Sequence, residues 1–348
     1  MDARGSVIRE WIDDIEGHVE LSIFGTTDAG AIADAVDAFC LRHLGVEIDR
    51  YTFYRSSIGS VHGIELADGR RVVVKAHQPE IERPHLEAMS SVQRHLADGG
   101  FPCPRPVLPP RRLGHGFATI EEELSAGHAH DGHDPAFRRA MARSLADLVQ
   151  RCRPFGASEG IPMDRALRVP NGRLWPTPHA RIFDFDATGR GAERIDEVAA
   201  AARAILDRVG VDEPILGHTD WRAENLRFDG QRVSAVFDWE SLLRTVEPVL
   251  VGEVVHAFPS DWSRPSSGRQ APSLEEVREF VTDYEDARGH GFEPRERTHL
   301  GAGYAYATAY TARCEHALDP EAAGEQREGF WTLVHEHGIG LLNVLLDG

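Results

Sequence analysis

Residues 216–226 read Leu216-Gly217-His218-Thr219-Asp220-Trp221-Arg222-Ala223-Glu224-Asn225-Leu226, and Val236-Phe237-Asp238-Trp239-Glu240 follows shortly after. The pattern is His-x-Asp-x-x-x-x-Asn with a second Asp downstream. Phosphoryl transfer from a nucleotide calls for these residue types in this order. One Asp reaches an acceptor hydroxyl and takes or orients its proton. An Asn and a second Asp offer hard oxygen ligands to the Mg2+ that bridges the phosphates. Residues 226–228 and 233–237 read as strands flanking Asp229-Gly230, so a hairpin returns Asp238 toward Asp220 and Asn225.

Upstream of this stretch the hydrophobic period is two. Residues 51–58 and 61–66 read as strands joined around Ser57-Ile58-Gly59-Ser60, and Arg71–Ala76 as a third strand after the Asp68-Gly69 turn. Lys75 ends that third strand. A helix over 84–97 carries Glu87, placed to ion-pair with Lys75, with Glu80 and Glu82 as less well-placed rivals. The Pro-rich stretch 102–110 leads to a strand near 117–122. Before the sheet, residues 29–43 form one more helix, with Asp28 as N-cap and Ile32, Val36, Phe39 and Cys40 on one face. Downstream the chain turns helical, with segments over 136–150, 194–209, 274–286, 301–316 and 328–346. The pattern predicts an α+β fold in two lobes: 1–124, a small antiparallel sheet with a helical N-terminal extension and one key helix, and 125–348, mostly helical.

On these residues the sequence resembles the aminoglycoside phosphotransferase-like group of small-molecule kinases, which is related to protein kinases. The family pattern His-Gly-Asp-Leu-His-Pro-Gly-Asn, followed by Ile-Asp-Trp-Glu, stands here as His218 through Asn225 and Phe237-Asp238-Trp239-Glu240. Gly99-Gly100-Phe101-Pro102-Cys103-Pro104 resembles the exit from the first-lobe helix, and Glu123-Leu124-Ser125-Ala126-Gly127 the hinge. The resemblance implies a bilobal kinase-like fold that binds ATP or GTP with Mg2+. It further implies Asp220 as catalytic base or hydroxyl-orienting group, and Asn225 and Asp238 as metal ligands. Lys75 would hold the α- and β-phosphates, Glu87 would position Lys75, and Ser60 would lie in the phosphate-covering loop. The backbone of Glu123 and Ser125 would read the base. His218 would brace the loop, and Glu240 would support either the metal site or that loop. Thr219, Arg222, Ala223 and Glu224 depart from the family pattern and leave the three chemical positions intact. Only about nine residues separate Asp238 from Glu247-Pro248. That is too few for a peptide-binding activation segment, so a small hydroxylated molecule is the expected acceptor.

Composition narrows the partners. Across 348 residues, 38 Lys and Arg against 56 Asp and Glu leave a net charge of −18. That balance argues against a nucleic-acid partner, which needs a basic footprint. It suits solubility and, more weakly, attraction of a cationic acceptor such as an aminoglycoside-like antibiotic, for which Glu224, Glu240, Asp283 and Glu285 would form an acidic rim. A sugar, amino sugar, choline-like or homoserine-like acceptor is the metabolic alternative, and a nucleotide-binding scaffold without turnover is a further one. No run of apolar residues is long enough for a membrane span, and no signal pattern opens the chain, so a cytoplasmic protein is expected. The four cysteines are scattered and suggest neither disulfides nor a thiolate metal site. The pattern does not specify an oligomeric state. Gly156-Ala157-Ser158-Glu159-Gly160 matches a hydrolase elbow in letters but lacks the apolar strand before Ser158. His128, His130 and His133 with Asp131 and Asp134 could meet at a metal, although a solvated loop is the simpler expectation. No Walker-type or Gly-x-Gly-x-x-Gly loop occurs.

Overall fold

Five antiparallel strands in the order β1-β2-β3-β5-β4 make the sheet of the first unit: β1 Ile48–Ser56, β2 Ser60–Leu66, β3 Arg71–Ala76, β4 Pro106–Leu113 and β5 Gly116–Glu122. The computed structural model describes residue 8 and residues 17–169, 172–180, 182–263, 269–321 and 329–346. Residues 1–7 and 9–16 of the predicted N-terminal extension, and residue 328 of the last predicted helix, lie outside the described residues. The chain divides into two compact units, Met1–Ser125 and Ala126–Gly348.

In the first unit, α1 (His18–Phe24) and α2 (Ala29–Leu44) precede the sheet, and α3 (Arg83–Asp98) lies between β3 and β4. The Asp28 side chain accepts the Ala31 N–H at 2.7 Å, the N-cap expected from the sequence. Ile32, Val36, Phe39 and Cys40 of α2 share one core with Tyr54, Ile64, Val72, Val74 and Ile120 of the sheet. Strand β4 replaces the connector that the Pro-rich stretch suggested. Proline lacks the N–H that an inner strand needs on both sides, but β4 is an edge strand, where one side of the ladder stays unpaired.

The second unit holds α4 (Pro135–Cys152), α5 (Glu193–Leu206), α6 (Glu247–Ala257), α7 (Leu274–Arg288), α8 (Pro294–Leu318) and α9 (Phe330–His337). Two short ladders join them: β6 (Ile215–His218) with β9 (Leu242–Thr245), and β7 (Leu226–Asp229) with β8 (Arg232–Val236). The helix expected over 328–346 runs only to His337 and continues as 3-10 turns over Gly338–Asn343. Helices α6 and α8 cross closely because Gly252 permits it. A Cβ there would sit 2.3 Å from the Leu300 carbonyl oxygen, so any side chain would push the helices apart. That crossing places His256 of α6 beside Thr311 of α8, at 3.1 Å.

Candidate active site

The candidate catalytic turn is built by short-range hydrogen bonds. β6 delivers His218, and Thr219 is fixed by its N–H to the Ser241 carbonyl at 3.0 Å. The chain then turns through Ala223–Asn225, with Ala223 N–H donating to Phe258 O at 2.8 Å. Trp221, fully buried, donates from its indole to the Met141 carbonyl at 3.2 Å and ties the turn to α4. Within this frame the Asn225 amide donates to Asp220 twice, to its carbonyl at 2.9 Å and its carboxylate at 2.8 Å. The Phe237 N–H donates to the Asn225 carbonyl at 2.9 Å, which brings the start of the Asp238 segment against the turn.

Asp238 adopts φ 61° and ψ 52°, and among the described residues no other non-glycine has a positive φ. A left-handed carboxylate residue is strained, and such strain persists where the surroundings over-determine it. Ser241 does so here, its N–H on the Asp238 carbonyl at 3.1 Å and its hydroxyl on the carboxylate at 3.2 Å. His218 is fully buried and donates from Nε2 to the Phe237 carbonyl at 2.8 Å, between the edges of Trp221 and Trp239. Burial lowers its pKa although Asp238 pulls the other way, so it is a neutral brace between the two acidic positions. With its nitrogen committed to Asp220, Asn225 turns its amide oxygen elsewhere. One amide oxygen and one carboxylate suit a Mg2+ that takes its remaining ligands from phosphates and water.

Arg222 was not expected at this centre. Its guanidinium pairs with the Asp220 carboxylate, reaches Glu224 at 3.1 Å, and lies 4.5 Å over the Trp262 ring. Its position in the turn, two residues after Asp220, was the available signal. The acidic rim is largely self-neutralised. Besides Glu224, Asp283 pairs with Arg138 at 2.9 Å and Glu285 pairs with Arg297 at 2.7 Å.

In the first unit, Lys75 and Glu121 form a buried ion pair at 3.1 Å. Glu87 instead pairs with Arg83, one turn before it on the exposed side of α3, at 2.8 Å. The expected Lys75–Glu87 pair is therefore replaced. Register explains why: Lys75 lies opposite Thr119 on β5, and period two puts Glu121 on the same face. Helix α3 still contributes, because Gln93 donates to Glu121 at 3.0 Å. Ser60 also departs from expectation. It is fully buried, its hydroxyl between Tyr54 at 3.1 Å and His62 at 2.8 Å, so its side chain braces the fold rather than covering phosphates. Tyr54 in turn donates to Glu20 of α1. The Glu123 N–H donates to the Arg71 carbonyl at 3.1 Å, and Ser125 is exposed at the end of the unit.

The other sequence candidates do not converge. His133 bonds Glu276 at 2.7 Å and His130 stacks on Phe137, and no group of three or more His, Cys, Asp or Glu among the described residues could hold a metal. Ser158 sits in a turn after a 3-10 segment, without a preceding strand. The cysteines are free, and no described helix is long and apolar enough to cross a membrane.

The sequence profile of the phosphotransferase enzyme family, APH, matches residues 63–290, from within β2 through α7, and includes the whole candidate turn. The chain belongs to this family. No curated protein matches the phosphotransferase sequence significantly. Solved structures share its kinase-like fold. The amicoumacin kinase hAmiN, in complex with AMP-PNP, Ca2+ and its antibiotic, superposes with a TM-score of 0.61 at 9% identity, over 88% of this chain and 93% of that one. Spectinomycin phosphotransferase APH(9)-Ia, with ADP and spectinomycin, gives 0.53 at 11% identity, over 90% and 97%. An aminoglycoside phosphotransferase from Alicyclobacillus acidocaldarius gives 0.51 at 15% identity, over 86% and 90%.

Proposed function

We propose that this phosphotransferase moves the γ-phosphoryl group of ATP or GTP to a hydroxyl of a small polar molecule. The observation that carries the reading is the clasp of Asn225 on Asp220 beside a left-handed Asp238. Asp220 orients the acceptor hydroxyl and accepts its proton as the phosphoryl group departs from the nucleotide. Arg222 holds the carboxylate in place. Bound Mg2+, on Asn225 and Asp238, would neutralise phosphate charge as the bond to the leaving oxygen lengthens. Lys75, oriented by Glu121, holds the α- and β-phosphates, and the backbone of Glu123 and Ser125 meets the base. Positioning and charge neutralisation supply most of the catalysis, since a loose transition state asks little of a base.

Aminoglycoside-like antibiotics, other antibiotics and metabolic alcohols all remain acceptors of this kind. The pairing of Glu224, Asp283 and Glu285 within the chain removes most of the charge argument for a polycation. The reading is tested by ADP release across aminoglycosides, macrolides, amino sugars and choline-like alcohols, with Mg2+ and with EDTA. Mg2+-dependent release raised by one acceptor is the expected result. Release that is indifferent to EDTA contradicts the proposal.

A further inference from the structure

A continuous band of rings begins at the catalytic turn and leads into the helices of the second unit. Arg222, on Asp220, covers one part of Trp262, which is still 41% exposed. Trp262 neighbours Phe330 at 6.5 Å between ring centres, and Phe330, fully buried, neighbours His256 at 5.6 Å. His256 meets the Thr311 hydroxyl at 3.1 Å, which gives the band a polar edge. From the other side, His179 meets Tyr310, next to Thr311, at 2.9 Å.

The two histidines of this band carry no charge. Burial lowers the His256 pKa to about 4, with Arg222 adding to the effect. Burial, Arg165 and Arg222 lower that of His179. Both rings are neutral at pH 7. Glu253, on α6 one turn before His256, is bonded to Asp164, and burial next to that carboxylate raises its pKa well above the usual range. The surface leading to Asp220 is thus aromatic where Trp262 lies, and the Arg222 guanidinium over that ring is answered by Asp220 and Glu224.

We propose that Trp262, backed by Phe330 and edged by His256 and Thr311, is the acceptor subsite, and that it takes an uncharged ring with a flat apolar face beside the reacting hydroxyl. A flat C–H or aromatic face packs on an indole, while a hydroxyl on the ring's rim finds the Thr311 oxygen that His256 holds in place. A polycation gains little at Trp262, because Asp220 and Glu224 are already paired with Arg222, which repels it. The inference takes its location from the phosphotransfer reading, but binding can be measured without turnover.

The test is calorimetric titration of phenyl β-D-glucopyranoside, methyl β-D-glucopyranoside and 2-deoxystreptamine into the full chain. The phenyl glycoside should bind about tenfold tighter than the methyl glycoside, as one stacked ring provides. Trp262→Ala should erase that difference while keeping its Mg2+-ATP thermal shift, and Trp262→Phe should retain most of it. Preferred binding of 2-deoxystreptamine, no binding of the phenyl glycoside, or equal binding to Trp262→Ala overturns the subsite. None of these results touches phosphotransfer, which fails separately if ADP release ignores Mg2+.

Discussion

The catalytic turn of the second unit and the lysine strand of the first solve the same problem, holding a charged side chain still, by opposite means. In the turn, Asp220, Arg222 and Asn225 lie within six residues and fix one another by local hydrogen bonds. In the strand, Lys75 is held by Glu121, far along the chain on β5, which is itself held by Gln93 of α3. Local clasps leave a signature in the letters, whereas clasps across a sheet depend on strand register.

The largest expected effects separate the two regions by kinetic role. Asp220→Asn keeps the shape but removes the charge, and steady-state turnover should fall by about two to four orders of magnitude with nucleotide binding retained. Lys75→Ala should act mainly on nucleotide use, raising the nucleotide KM. An Asp220→Asn enzyme with half of the original turnover breaks the assignment of the turn.

The choice of partner for Lys75 gives a smaller, sharper contrast. Glu121→Gln should lower kcat/KM for the nucleotide about ten- to a hundredfold, because a displaced lysine no longer meets the phosphates. Glu87→Gln should change it by less than about twofold, as exposed pairs contribute about 1 kcal/mol or less. The reverse ranking would restore Glu87 as the partner.

Acid should weaken both units. Burial lowers the pKa of His62 in the first unit to about 3 and of His256 in the second to about 4. A pKa depressed in the folded state means that stability is fully present above the unfolded value near 6.5 and is lost as pH falls below it. Each histidine should contribute a slope of roughly 1 kcal/mol per pH unit between about 6.5 and 4, read from the melting temperature. His62→Gln should flatten the profile. The smallest effect is at Asp28, where Asp28→Ala should cost about 1 kcal/mol of stability by chemical denaturation, leaving turnover alone.

Much of the fold was legible because periodicity reports burial directly: α2, β3, α3 and the β7–β8 hairpin lie within a few residues of where the pattern put them. Strand β4 was hidden because three prolines read as a connector, and only its place at the sheet edge makes them acceptable. The β6–β9 ladder was hidden because each strand has four residues and the pairing crosses the hairpin. Within the site, His218 through Asn225 were legible as one stretch. Glu121 was obscured among three consecutive glutamates until the register singled it out. Ser60 was misread because a serine between two strands suggests a loop, while its neighbours Tyr54 and His62 bury it. Trp262 carried no local signal at all, since its meaning comes from Arg222 lying across it.

The central claim is that Asn225 and Asp238 present a metal-bound nucleotide to Asp220. It is tested most directly by the melting temperature with ATP, in the presence of Mg2+ and of EDTA, for the original chain and for Asp238→Ala. A ligand that binds only the folded state raises the melting temperature. The account predicts a shift with Mg2+-ATP that largely disappears in EDTA, and an Asp238→Ala protein that folds but has lost the Mg2+-dependent part. An equal shift in EDTA, or an unchanged one in Asp238→Ala, contradicts it.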